Sequence, residues 1–188
     1  MTTSSPAPES LAMFLRGAAH SAPAVGLTTP GSVTTAVAPT RALRHQLPAG
    51  FVARVVDGAR MRTLSELYRE FAHAWRFPEY FGNNKDAFDE CMRDLEDFAR
   101  DADDPTPAGF VTVVTEAQDL LTDAPDNDFR WFATRSDFYR EHYRDIARPP
   151  AVFAVILGTP PTDESGVMAR WRHAGASPAR LSPLDTGQ

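Results

Sequence analysis

A chain of 188 residues, 43% of them hydrophobic, is sized for one globular core, and no apolar run nears the ~18–20 residues of a membrane-spanning helix. The net charge of −6 argues against direct nucleic-acid binding, which needs a basic face, and suits a protein that meets basic partners. The single cysteine, Cys91, excludes an internal disulfide and makes a reducing compartment, the cytoplasm, the expectation.

Residues 1–50 are rich in Thr, Ser, Ala and Pro and hold one acid, Glu9. Ten of the sixteen prolines lie outside 51–158. Proline fixes φ and lacks a backbone donor, so this composition predicts a disordered extension over 1–50. Residues 159–188 read as a mostly irregular tail, with room for a short helix at 167–173 that Trp171 can dock. On this reading, deleting residues 1–45 leaves folding and binding nearly unchanged.

Residues 51–158 alternate between strand and helix. The run 51–56 is apolar and β-branched, and Asp57-Gly58 marks a turn. Thr63-Leu64-Ser65-Glu66 has capping-box spacing, and Leu64, Leu67, Phe71 and Trp75 follow at helical intervals. Pro78 to Gly82 is a stiff connection. Asn84 suits the N-cap of a second helix over 85–98. A strand is expected at 110–115 and a short helix at 116–121. Phe129, Trp131 and Phe132 form an apolar cluster of undetermined shape, Ser136 could cap a helix to about 147, and 151–157 is an apolar strand. Strands separated by helices pair in parallel, so the expected fold is α/β, a three-stranded parallel sheet packed against helices.

The second helix is sharply two-faced. At 100° per residue, Phe88, Cys91, Met92, Leu95 and Phe98 cluster on one side, and Asp86, Asp89, Glu90, Arg93 and Asp97 on the other. From Glu79 to Asp104 the chain holds ten acids and three bases, a net −7, so the charge excess is concentrated here. Pattern alone leaves two readings open. One is a solvated helix face with pairs such as Asp89–Arg93; the other is an acidic docking surface that steers a basic partner.

The run from Pro78 through Pro-Glu-Tyr-Phe-Gly-Asn-Asn-Lys-Asp-Ala-Phe-Asp-Glu-Cys to Met92 resembles the loop and second helix of the barstar family. The resemblance extends upstream through Val55-Val56-Asp57-Gly58 and Arg62 to Leu67, and downstream to Tyr143-Arg144-Asp145 and Val155-Ile156-Leu157. It covers most of 51–158 and neither tail, and the segment 123–135 is longer than its barstar counterpart. Such a resemblance implies an intracellular protein inhibitor, or immunity protein, that plugs a secreted ribonuclease with acidic side chains standing in for RNA phosphates. It implies partner contacts at Tyr80, Asn84, Asp86, Glu90 and Asp145, with Asp89 and Arg93 on the same face. Glu90 is central.

Departures from the pattern bear on the target. Glu90 stands where barstar has Asp, and Asp89 where it has a tryptophan. Lys85 and Arg93 add positive charge to a face that meets a positive partner. The implied partner is therefore a small basic ribonuclease other than barnase, or another basic toxin. The alternative is a barstar-like interaction or immunity module whose target is not a ribonuclease. No enzymatic role, cofactor or metal is expected: the five histidines are scattered, none pairs with Cys91 at ligand spacing, and Gly-rich phosphate loops are absent. Cys91 is expected to be an inert core thiol.

Overall fold

The computed structural model describes residues 7–21, 23–29, 46–99 and 105–183. Arg100, Asp101, Asp103 and Asp104 of the acidic stretch lie outside these, as do much of 1–50 and the last five residues.

Helix α1 spans Leu11–Ala18 and strand β1 Val25–Thr28. Then come β2 (Phe51–Asp57), α2 (Leu64–Trp75), α3 (Lys85–Arg93), α4 (Leu95–Phe98), β3 (Gly109–Thr115) and α5 (Asp126–Glu141). A π-helical turn, His142–Ile146, leads from α5 to β4 (Val152–Gly158), followed by α6 (Glu164–His173) and β5 (Ala179–Arg180). The sheet is parallel throughout, in the order β2-β3-β4-β1-β5. The expected strands β2, β3 and β4 are adjacent in it, but the sheet has five strands rather than three.

The two extra strands correct the reading of the flanks. Within 1–50, α1 is capped by Ser10, whose side chain accepts from the Met13 amide at 3.3 Å, and all four residues of β1 are buried. Within 159–188, α6 buries Val167, Met168 and Trp171, and β5 pairs with β1. The helix allowed for at 167–173 is real and three residues longer at its start. Proline content misled because the prolines fall between these elements, not inside them.

Strand side chains alternate between faces, and each face has its own cover. One face carries Val56, Phe110, Val114, Phe153, Val155 and Leu157 against α2, α3, α5 and α6. The other carries Ala53, Val111, Val113, Ala154 and Ile156 under Leu11, Phe14 and Leu15 of α1. Gly26 in β1 points to that second face, where a Cβ would stand 2.6 Å from Leu181 and 3.3 Å from Phe14, so glycine lets α1 close on the sheet.

The first face positions the acidic helix. Thr63 and Glu66 make the expected capping box, with the Thr63 amide donating to Glu66 Oε2 at 2.9 Å. Behind it α2 buries Leu67, Tyr68, Phe71 and Trp75, and Trp75 Nε1 donates to Thr112 Oγ1 at 3.2 Å. Gly58 is required after β2, because a Cβ there would lie 2.3 Å from the Glu116 carbonyl oxygen. That carbonyl belongs to a tight loop, not the short helix expected at 116–121, with Glu116 and Leu121 in the left-handed region at φ 46° and 53°. Nor does Ser136 cap a helix. It is buried within α5, which is continuous through the aromatic cluster Phe129, Trp131 and Phe132.

Candidate partner-binding site

The loop before α3 is locally determined. Phe81 donates its amide to the Pro78 carbonyl at 2.9 Å and packs its ring against Tyr68 and Phe77. Asn83 takes the left-handed conformation, at φ 50°, and Asn84 caps α3 by accepting from the Ala87 amide at 2.9 Å. With Phe81 turned inward, Tyr80 is turned outward and is 84% exposed. Asn84 is itself exposed, so one side chain both starts the helix and lies on the surface.

Helix α3 docks through Phe88, Cys91 and Met92, as its two-faced pattern requires. Phe88 is completely buried, with its ring 5.2 Å from Phe71, 5.6 Å from Tyr68 and 5.7 Å from Trp131. The single helix expected over 85–98 breaks at Asp94. Tyr143 enters the break: its hydroxyl donates to the Met92 carbonyl and accepts from the Leu95 amide, both at 3.0 Å. This replaces the helical bonding that would have carried the chain straight on. Burial holds the Tyr143 hydroxyl in its neutral form, with a pKa well above the usual tyrosine value.

Burial likewise pushes the Cys91 thiol up to about 11, with the carboxylates of Asp94 and Glu90 adding to the shift. The side chain is 6% exposed. A thiol reagent should therefore label the native protein slowly at neutral pH and the denatured protein fast. Rapid native labelling would mean that this face of α3 is not packed as described.

The polar face does not present all its charges outward. Asp89 is drawn against α5: Arg135 Nη2 is 3.1 Å from its Oδ2, and the Tyr139 hydroxyl donates to its Oδ1 at 2.5 Å. Burial, and then the bond to Asp89, keep the Tyr139 hydroxyl protonated far above its ordinary range. Arg93 is half-buried and donates through Nε to the Asp89 carbonyl at 3.1 Å, a bond to backbone in place of the side-chain pair suggested by the spacing. Lys85 reaches Asp128 on α5 at 2.7 Å. Asp89, Lys85 and Arg93 are thus engaged within the protein.

What remains is an edge. Asp86, Glu90, Asp94 and Asp97 are exposed, and among the described residues none of them has an ion-pair partner. Asp86 and Glu90 stand one turn apart on α3, with Tyr80 and Glu79 exposed in the loop before it. Asp145 belongs to a different local arrangement. It lies in the π-helical turn after α5 and pairs with Arg144 at 2.6 Å, which holds its carboxyl below the ordinary aspartate range. Arg144 also donates to the His20 carbonyl, at the junction of α1 and β1. The structure therefore leaves Tyr80, Asn84, Asp86 and Glu90 exposed, turns Asp89 toward α5, bonds Arg93 back to its own helix, and ties Asp145 to Arg144. Sequence reasoning missed Asp128, Trp131, Arg135 and Tyr139 as the groups that fix α3, although the extra length of 123–135 was visible.

Among the described residues, no group of three or more His, Cys, Asp or Glu side chains is placed to hold a metal ion. No helix among them is long and apolar enough to cross a membrane.

The family model described as Barstar (barnase inhibitor) matches residues 51–155, more than half of the chain. The chain belongs to the barstar family. Every residue of the candidate edge falls inside the match. Of the elements that flank the barstar-family region, α1 and β1 precede it and α6 and β5 follow it. Curated proteins show no match to the chain. Two solved structures share the architecture. Drosophila ORC bound to DNA matches with a TM-score of 0.53 and 15% identity, over 92% of this chain and 40% of that one. The Aeropyrum pernix ORC2 protein, in its ADPNP–ADP complexes, matches with a TM-score of 0.52 and 10% identity, over 97% of this chain and 50% of that one. This barstar-family chain thus spans half or less of each, and at such identity the likeness is one of fold alone.

Proposed function

We propose that this barstar-family chain is a protein inhibitor of a small basic ribonuclease, or of another basic toxin, and that it acts by occlusion with no chemistry of its own. The observation that carries the reading is the pair Asp86 and Glu90: two exposed carboxylates, one turn apart, with no internal partner among the described residues, on a helix whose apolar side is fully docked. Carboxylates so presented can take the places of RNA phosphates in a cationic cleft. The same charge raises the association rate at low salt, where screening is weak. An inhibitor of this kind works in the cytoplasm, where it meets the enzyme before export.

Titrating the full chain into assays of small basic bacterial ribonucleases hydrolysing RNA tests the proposal. Complete inhibition of at least one enzyme at equimolar ratio is expected, and weaker inhibition in high salt. Barnase belongs in the panel as the enzyme that Glu90, one C–C bond (about 1.5 Å) longer than an aspartate, is expected to fit poorly. No inhibition anywhere in the panel, together with tight binding to a protein without nuclease activity, would favour the alternative of an interaction module with another target.

A further inference from the structure

Lys85 is the single lysine in a chain with eighteen arginines. It is the first residue of α3, immediately before Asp86, near the start of the stretch that carries the negative charge. An ammonium there opposes a basic partner. The structure removes the conflict. Lys85 Nζ is 2.7 Å from Asp128 Oδ1 and 5.2 Å from the centre of the Trp131 ring, whose π face attracts a cation. Both groups come from the start of α5, and further along that helix Arg135 and Tyr139 hold Asp89. On this flank α5 takes up Lys85 and Asp89, Arg93 bonds back to the Asp89 carbonyl, and the exposed charges left over among the described residues, Asp86, Glu90, Asp94 and Asp97, are all acids.

We propose that the start of α5 sorts the charges of α3: Asp128 and Trp131 hold the Lys85 ammonium off the presented edge. They are specificity-determining residues for a basic partner, although neither lies on the edge that meets it. This rests on the reading that Asp86 and Glu90 face such a partner. Lys85 carries a long flexible stem. Released from Asp128, its ammonium can swing toward Asp86 and cancel part of the field that draws the partner in.

The test is a double-mutant cycle on the full chain, Lys85→Met and Asp128→Asn, with poly-L-lysine of about 20 residues as the binding probe at low ionic strength. Lys85→Met should bind within about twofold of the unaltered chain, because this lysine is not presented. Asp128→Asn should bind more weakly, on the order of fivefold, because it frees the lysine. The double variant should return to within about twofold. Trp131→Leu, which keeps apolar bulk and removes the π face, should fall between. Thermal unfolding of each variant separates binding from folding, and the Asp128→Asn loss should vanish in high salt. Three results would overturn the proposal: equal losses for both single variants, which would make the pair purely structural; the same Asp128→Asn loss with and without Lys85, which would reduce it to net charge; or no loss for Asp128→Asn. The probe contains no nuclease, so failed ribonuclease inhibition beside an intact cycle would reject the inhibitor reading alone.

Discussion

A chain lacking residues 1–45 is expected to lose cooperative folding. The deletion removes β1 from between β4 and β5, and it removes α1 from the second face of the sheet. Five large apolar side chains go with them: Leu11, Phe14, Leu15, Val25 and Leu27, each no more than 6% exposed. At about 2 kcal/mol for each fully buried side chain, the loss is roughly 10 kcal/mol. Total stability of a domain is only about 5–15 kcal/mol. The remaining sheet is damaged as well, because β4 would expose the edge that pairs with Val25 through Thr28, and β5 would lose its partner strand. Thermal or urea unfolding monitored by circular dichroism checks this. A graded companion is Phe14→Ala, expected to cost about 3–5 kcal/mol as a large-to-small change at a completely buried site. An unchanged midpoint for the truncated chain would mean that α1 and β1 contribute nothing to the fold.

The second large effect is expected in binding. Glu90→Ala should weaken the complex with an inhibited ribonuclease by about 2–5 kcal/mol, mainly through faster dissociation. In the complex its carboxylate is desolvated among the enzyme's cationic groups, and truncation leaves those groups buried and unpaired. The free protein should melt almost unchanged, since Glu90 is exposed and has no ion pair among the described residues. Asp97→Ala is the control. Asp97 is exposed on α4, beyond the break at Asp94, and lies outside the plug. Its loss should cost less than about 1 kcal/mol, seen as slower association that salt abolishes. Equal small losses for both variants would mean that the edge attracts its partner without entering the active site.

The elements legible in the sequence are those whose local chemistry agrees with their packing. The capping box at Thr63 and Glu66, the cap at Asn84, the three apolar strands and the docked face of α3 all follow from short-range patterns. Other features depend on partners distant in the chain. β1 is four residues long and follows an Ala-Pro-Ala run, so only its place between β4 and β5 makes it a strand. For α1 the signal was present: Leu11, Phe14, Leu15 and Ala18 at helical spacing behind Ser10, outweighed by the proline content around them. At the site, the pattern put Asp89 on the polar face correctly but could not show that this face has two sides. Only the course of α5 separates Asp89, held by Arg135 and Tyr139, from Asp86 and Glu90.

The place of β1 also sets the order in which the chain can assemble. Val25 pairs with Val155, and Leu27 with Leu157, so β1 leaves the ribosome well over a hundred residues ahead of the strand that receives it. Until β4 has been made, β1 lacks β4 to pair with, and α1 lacks Ala154 and Ile156 of the face it covers. β2 and β3 meet earlier, over a separation about half as great, and only then can β4 complete the surface onto which β1 closes. β5 in turn cannot pair before β1 is seated. α1 and β1, synthesised ahead of β2, β3 and β4, are therefore among the last elements to be secured. Nascent chains stalled before Val152 should leave α1 open to protease, whereas in the finished protein it is shielded.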